Sequence, residues 1–209
     1  MISRSVGNRI GVDFDSFGIS LSREDMLAIL ARRSISPIAI DIDAVARDLV
    51  GKAQWKLPSL QSEAPHFFTC ASLTKWLYGQ RGIWIPRRLM HQLAFCQEYG
   101  SIHALDEIVG GDLIFLSSPY RNGVKTDTGE RVGHVCIATN DGEAICATNS
   151  EFGTGIVKLP IHSFLSSREL AAVGRVVRKG ANITTLVFPP ETEIETVDDI
   201  RSIIIRSLR

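Results

Sequence analysis

With 209 residues, 44% of them hydrophobic and 22% charged, the chain can bury one ordinary domain core and is no disordered segment. Its 23 basic and 23 acidic side chains cancel, which excludes the basic stripe of a nucleic-acid binder and a general attraction to anionic membranes. No apolar run approaches the ~18 residues of a membrane span.

The opening residues hold no apolar stretch of signal-peptide length, so the expected location is cytoplasmic, with export by another route left open. Residues 1–40 read as a helical extension. Ser22 caps a helix from Ser20 to Arg33, with Met26, Leu27, Ile29 and Leu30 as its apolar stripe. Pro37 ends that pattern. A second helix runs from Ile42 to Ala53, and a polar loop with Pro58 and Pro65 follows. A third helix begins near Cys70 and ends near Gly79 or Gly82; a fourth, shorter one spans Arg87 to Glu98.

The period then changes. Segments 112–117, 133–139, 143–148, 155–159 and 170–178 read as strands. Asn140-Asp141-Gly142 is a hairpin turn, because Asp-Gly tolerates the positive φ that tight turns need. Residues 119–131 form a polar loop ahead of the strand that carries His134. The main domain spans 41–179, and a tail over 180–209 carries a helix from Val197 to Leu208. Helices first and a meandering sheet after them indicate an α+β fold.

The four cysteines, Cys70, Cys96, Cys136 and Cys146, lack zinc-ribbon spacing and are read as thiols. Cys70 sits at a helix start, where unpaired backbone N–H groups favour a thiolate; by position alone it reads more readily as a buried structural cysteine. His134 lies on a strand, where alternation puts Cys136 on its face. Cys146 arrives from across the hairpin. Cys70, His134 and Cys146 are thus also a conceivable zinc set, and Cys70 with Cys146 a conceivable disulfide.

Several segments occur in a telling order. They are Thr69-Cys70-Ala71-Ser72, Trp76-Leu77-Tyr78, Gly82-Ile83-Trp84-Ile85-Pro86-Arg87, Gln92, Leu105 to Phe115 with Gly111-Asp112-Leu113, and Gly133-His134-Val135-Cys136-Ile137-Ala138. Together, from Val50 to Val176, they resemble the NlpC-type cysteine peptidases, a papain-like family that cleaves γ-D-glutamyl bonds in bacterial cell-wall peptides. The resemblance implies a papain-like α+β fold, with N-terminal helices carrying the nucleophile packed on an antiparallel sheet of about five strands. It implies Cys70 as nucleophile, His134 as general base and Cys146 at the third, orienting position. It puts Trp55, Thr69, Ala71 and Ser72 at substrate-binding positions. The implied partner is a peptide or amide substrate, with no cofactor and no metal; papain-like sites seldom hold structural metal. The oligomeric state is not read.

Four positions depart from the family pattern, one of them Gly110, which stands at a proline of the family's strand motif. Thr69 and Ala71 replace an aspartate and a serine that help bind the free amine of the family's substrate. Cys146 replaces a histidine or carboxamide, and a thiol is a weak hydrogen-bond partner. Asn149 is near in sequence but falls on the other face of the strand. The competing expectation is a degenerate papain-like pocket that binds a ligand or a protein.

Overall fold

The computed structural model describes residues 4–118, 124–125 and 131–208. The loop expected over 119–131 lies outside the described residues, apart from 124–125 and 131. In chain order the strands are β1 (Arg9–Asp13), β2 (Ser36–Ile38), β3 (Gln54–Trp55), β4 (Phe67–Phe68), β5 (Ser101–His103) and β6 (Leu113–Ser117). They continue with β7 (Val124–Lys125), β8 (Arg131–Ala138), β9 (Glu143–Ser150), β10 (Gly153–Pro160), β11 (Leu170–Arg175) and β12 (Ile183–Val187). The α-helices are α1 (Arg23–Ala31), α2 (Ile42–Asp48), α3 (Cys70–Gln80), α4 (Leu89–Tyr99), α5 (Ile161–Leu165) and α6 (Val197–Arg206).

These elements fall into two units. The first comprises 4–41, 78–84 and 179–208. Ser22 caps α1 by accepting the Asp25 N–H at 3.1 Å. The segments read as an extension and a tail pair with each other: β12 lies between β1 and β2 in an antiparallel three-stranded sheet. That sheet and helices α1 and α6 bury Ile10, Val12, Leu30, Leu186, Ile200 and Ile204. Gly82 has φ +69°, and a Cβ there would lie 2.5 Å from the Ile10 carbonyl carbon. Only glycine allows that approach, which lets Gly82 O accept the Gly11 N–H at 2.7 Å.

The second unit comprises 42–77 and 85–178. Its seven-stranded sheet runs β10-β9-β8-β6-β11-β5, with β7 paired to β8, and every pairing is antiparallel. The expected five strands are the five long ones. The two additions, β5 and β7, have three and two residues and are too short to show a period. The hairpin at Asn140-Asp141-Gly142 joins β8 to β9, with Gly142 at φ +78°. The second expected helix is shorter than predicted: α2 ends at Asp48, and the chain turns through Gly51 at φ +71°. One face of the sheet, from Ile114, Leu116, Cys136 and Cys146, packs with Ile161 and Phe164 of α5.

The Gly111-Asp112-Leu113 entry to β6 has a physical anchor. Asp112, 1% exposed, accepts two hydrogen bonds from Arg175 of β11, at 2.8 and 2.7 Å, and the Val109 N–H at 3.0 Å. Gly110 stands where the family pattern has proline. A Cβ there would lie 2.1 Å from Asn140 Oδ1, so the hairpin has closed over the space a larger residue needs. A buried, bidentate ion pair is costly to break from one side. Urea unfolding of Asp112→Ala is therefore expected to show a loss of about 3–5 kcal/mol. The double variant Asp112→Leu with Arg175→Met should lose distinctly less; equal losses would contradict this role for the pair.

Candidate active site

The first turn of α3 is fixed before any catalytic group is considered. Thr69 and Ser72 form a reciprocal cap: Thr69 Oγ1 accepts the Ser72 N–H at 3.2 Å, and Ser72 Oγ accepts the Thr69 N–H at 2.8 Å. Ser59 Oγ, itself buried, accepts the same Thr69 N–H at 3.1 Å. Gln92 of α4 binds the turn from the other side. Its amide donates to the carbonyls of Ala71 (2.8 Å) and Pro86 (3.0 Å), and its oxygen accepts the Thr74 hydroxyl at 2.8 Å. Cys70 is the first residue of the helix so held, and its neighbouring backbone N–H groups have no intrahelical acceptor.

The sheet supplies the other half. Strand β8 pairs with β6 so that His134 faces Leu116 and Cys136 faces Ile114. On its other side β8 is laddered to β9 only at Ile137 with Ile145 and Ala138 with Ala144. Beyond those pairs the Val135 N–H and the His134 side chain act on the Cys70 sulfur, both favouring its thiolate. Cys136 and Cys146 fall on the face of His134, and one ring nitrogen and the two sulfurs all lie within 4.8 Å of one another. Those three residues are buried, whereas Cys70 is half-buried. Nε2 of His134 is buried without a hydrogen-bond partner, and Cys146 is the sulfur that does most to hold the ring protonated.

Burial and pairing oppose each other at this cluster. Burial pushes the Cys70 thiol up, but the hydrogen bond and charge of His134, with the Val135 N–H, outweigh it and hold the thiol below its ordinary range. Burial pulls His134 down, yet the sulfurs of Cys146 and Cys70 push it up to about 10. Each group thus favours the charged form of the other, thiolate for Cys70 and imidazolium for His134. Burial raises Cys136 well above the thiol range. Cys146 is also opposed by burial, but the Cys136 S–H, His134 and the Arg168 guanidinium bring it below that range.

The structure thus brings Cys70, His134 and Cys146 together. Trp55 is half-buried on β3, paired in register with Phe68 two residues before Cys70. Thr69 and Ser72 spend their hydroxyls on the helix cap, and Ala71 is buried with its carbonyl engaged by Gln92. Asn149 is exposed and accepts a hydrogen bond from Thr154 at 3.2 Å, away from the ring. Sequence reasoning missed the Val135 N–H and Arg168. A backbone donor carries no sequence signal, and Arg168 lies 22 positions past Cys146 on the chain segment after α5, with nothing local to mark it.

No family model and no curated protein matches the sequence. Solved structures do match. NlpC2 from Trichomonas vaginalis aligns with a TM-score of 0.51 and 18% identity, over 65% of this chain and 45% of that one. NlpC1 from the same organism gives 0.50 and 18%, over 65% and 42%. An NlpC/P60 family protein from Bacillus cereus gives 0.51 and 22%, over 68% and 41%. The match spans less than half the length of each of these proteins. At such identities the likeness establishes the fold: the chain has the mixed helix-and-sheet fold of NlpC/P60 proteins.

The electrostatics make a direct prediction about reactivity. Cys96 is fully buried, and burial with the nearby Asp112 charge pushes its thiol up to about 12. Iodoacetamide at pH 7, followed by peptide mapping, should label Cys70 at least about 100-fold faster than Cys96. The Cys70 rate should persist below the ordinary thiol range and fall only as pH drops through its lowered pKa. Comparable rates at the two cysteines would rule out an activated thiolate.

Proposed function

We propose that the protein is a thiol hydrolase that cleaves an amide or peptide bond through an acyl-enzyme on Cys70. The observation that carries this reading is the meeting of a half-buried sulfur at a helix start with the His134 ring and the Val135 N–H. The Cys70 thiolate attacks the substrate carbonyl, and the backbone N–H of Cys70 donates to the developing oxyanion. The His134 imidazolium gives its proton to the departing amine. Now neutral, His134 takes a proton from water, which attacks the thioester, releases the acid and restores the pair.

The substrate class that the fold offers is a peptide, with γ-D-glutamyl cell-wall peptides as the first candidates. The residues beside the nucleophile argue for a modified preference. Thr69 brings no carboxylate to pair with a free amine, and its hydroxyl and that of Ser72 cap the helix. A substrate with a neutral or acylated amino side suits these neighbours better.

A binding module without turnover is the competing reading, favoured by one observation: Nε2 of His134 has no partner, so the base lacks an aligned orienting group. Turnover of a panel of γ-glutamyl and N-acylated peptides separates the two. The hydrolase reading expects product from wild type, none from Cys70→Ala, and a loss of at least about 100-fold in kcat/KM for His134→Gln. It also expects Cys146→Asn, which offers Nε2 an aligned carboxamide oxygen, to raise kcat several-fold. Binding of such peptides with no product from any variant would establish the module instead.

A further inference from the structure

The catalytic reading gives work to Cys70, His134 and Cys146 and none to Cys136. Yet Cys136 is 0% exposed and shares a tight cluster with two of those groups. The β8–β9 register, extended two residues from Ala138 with Ala144, sets Cys136 opposite Cys146. His134 lies two residues along the same face. Its ring nitrogen and both sulfurs lie within 4.8 Å of one another. His134 is 6% exposed, and its Nε2 is buried with no hydrogen-bond partner. A buried imidazole with one nitrogen unpartnered, clustered with two buried sulfurs, is a donor set for a soft metal ion.

We propose that His134, Cys136 and Cys146 bind Zn²⁺, and that zinc switches hydrolysis off by taking His134 out of proton transfer. The switch rests on the reading of His134 as the base; the site rests on geometry alone. In a tetrahedral zinc centre the donors lie about 3.5–3.8 Å apart, given Zn–S near 2.3 Å and Zn–N near 2.0–2.1 Å. Each pair here need close by no more than about 1.3 Å, within reach of side-chain rotation. Charge selects the ion. The cluster is walled by Ile114, Leu116, Ile161 and Phe164, where net charge is costly. Two thiolates and a neutral imidazole cancel Zn²⁺, whereas a monovalent soft ion would leave a buried negative charge. Binding forms two Zn–S bonds and one Zn–N bond and expels to solvent the protons those donors carried; no electrons move. Water or the Cys70 sulfur completes the coordination.

Co²⁺ and Zn²⁺ titrations of the full chain, under a non-chelating phosphine reductant, test the site. Wild type should take up one equivalent of Co²⁺ with thiolate-to-cobalt charge-transfer absorption, and Zn²⁺ should displace it. The same equivalent of Zn²⁺ should abolish peptide hydrolysis, and a chelator should restore it. Cys136→Ala, checked for folding by its melting curve, should bind Zn²⁺ at least tenfold more weakly. The cobalt spectrum of wild type needs no variant to fold. Absence of the charge-transfer band, or equal zinc affinity in Cys136→Ala, overturns the site. Hydrolysis that continues with zinc bound overturns the switch. The band without hydrolysis in metal-free protein keeps the site and removes the hydrolase reading together with the switch. Hydrolysis without the band does the reverse.

Discussion

The buried amide of Gln92 holds three groups at once: the carbonyls of Ala71 and Pro86 and the hydroxyl of Thr74. A buried polar group left without a partner costs about 1–3 kcal/mol. The first turn of α3 therefore has one favourable position against α4. The Thr69–Ser72 cap, braced by Ser59, fixes where the helix begins. Together they put the Cys70 sulfur where β8 and β9 are no longer laddered and the Val135 N–H is free to meet it. A displacement of about 1 Å at such a centre is enough to lose much of its chemistry. Positioning comes from uncharged groups, so it does not depend on the protonation of the groups it positions.

The charges follow from that placement. Neither a lone thiolate nor a lone imidazolium is favourable where burial opposes each, but side by side each stabilises the other. Cys146 and Arg168 extend the alternation of sign from sulfur to ring to sulfur to guanidinium. This arrangement gives the imidazole an anionic neighbour without the directed hydrogen bond a carboxamide provides. A site built this way couples the charges of sulfur and ring and leaves Nε2 of the ring unpartnered. The same crowding of sulfur about the ring is the donor set on which the proposed zinc site rests.

What the sequence made legible was local. The Ser22 cap, the start of α3 at Cys70 and the Asp-Gly hairpin each announce themselves within a few residues, and the structure has all three. Cys136 was placed on the face of His134 by alternation alone. The pairing of β1 with β12 joins residues about 175 positions apart, and no local period reports it. Strands β5 and β7 were too short to carry a pattern. At the site, the residue types at 70, 134 and 146 were readable. The donor from Val135 and the capping use of Thr69 and Ser72 were not, because both depend on how tertiary packing directs backbone groups and hydroxyls.

Titration of the His134 ring by nitrogen-15 NMR tests the account at its centre. In wild type the ring should remain imidazolium through neutral pH and lose its proton only near pH 10. In Cys70→Ser, with the thiolate partner removed, the midpoint should fall substantially. A ring already neutral at pH 7 in wild type, or a midpoint unmoved by Cys70→Ser, would contradict the mutual stabilisation of sulfur and ring.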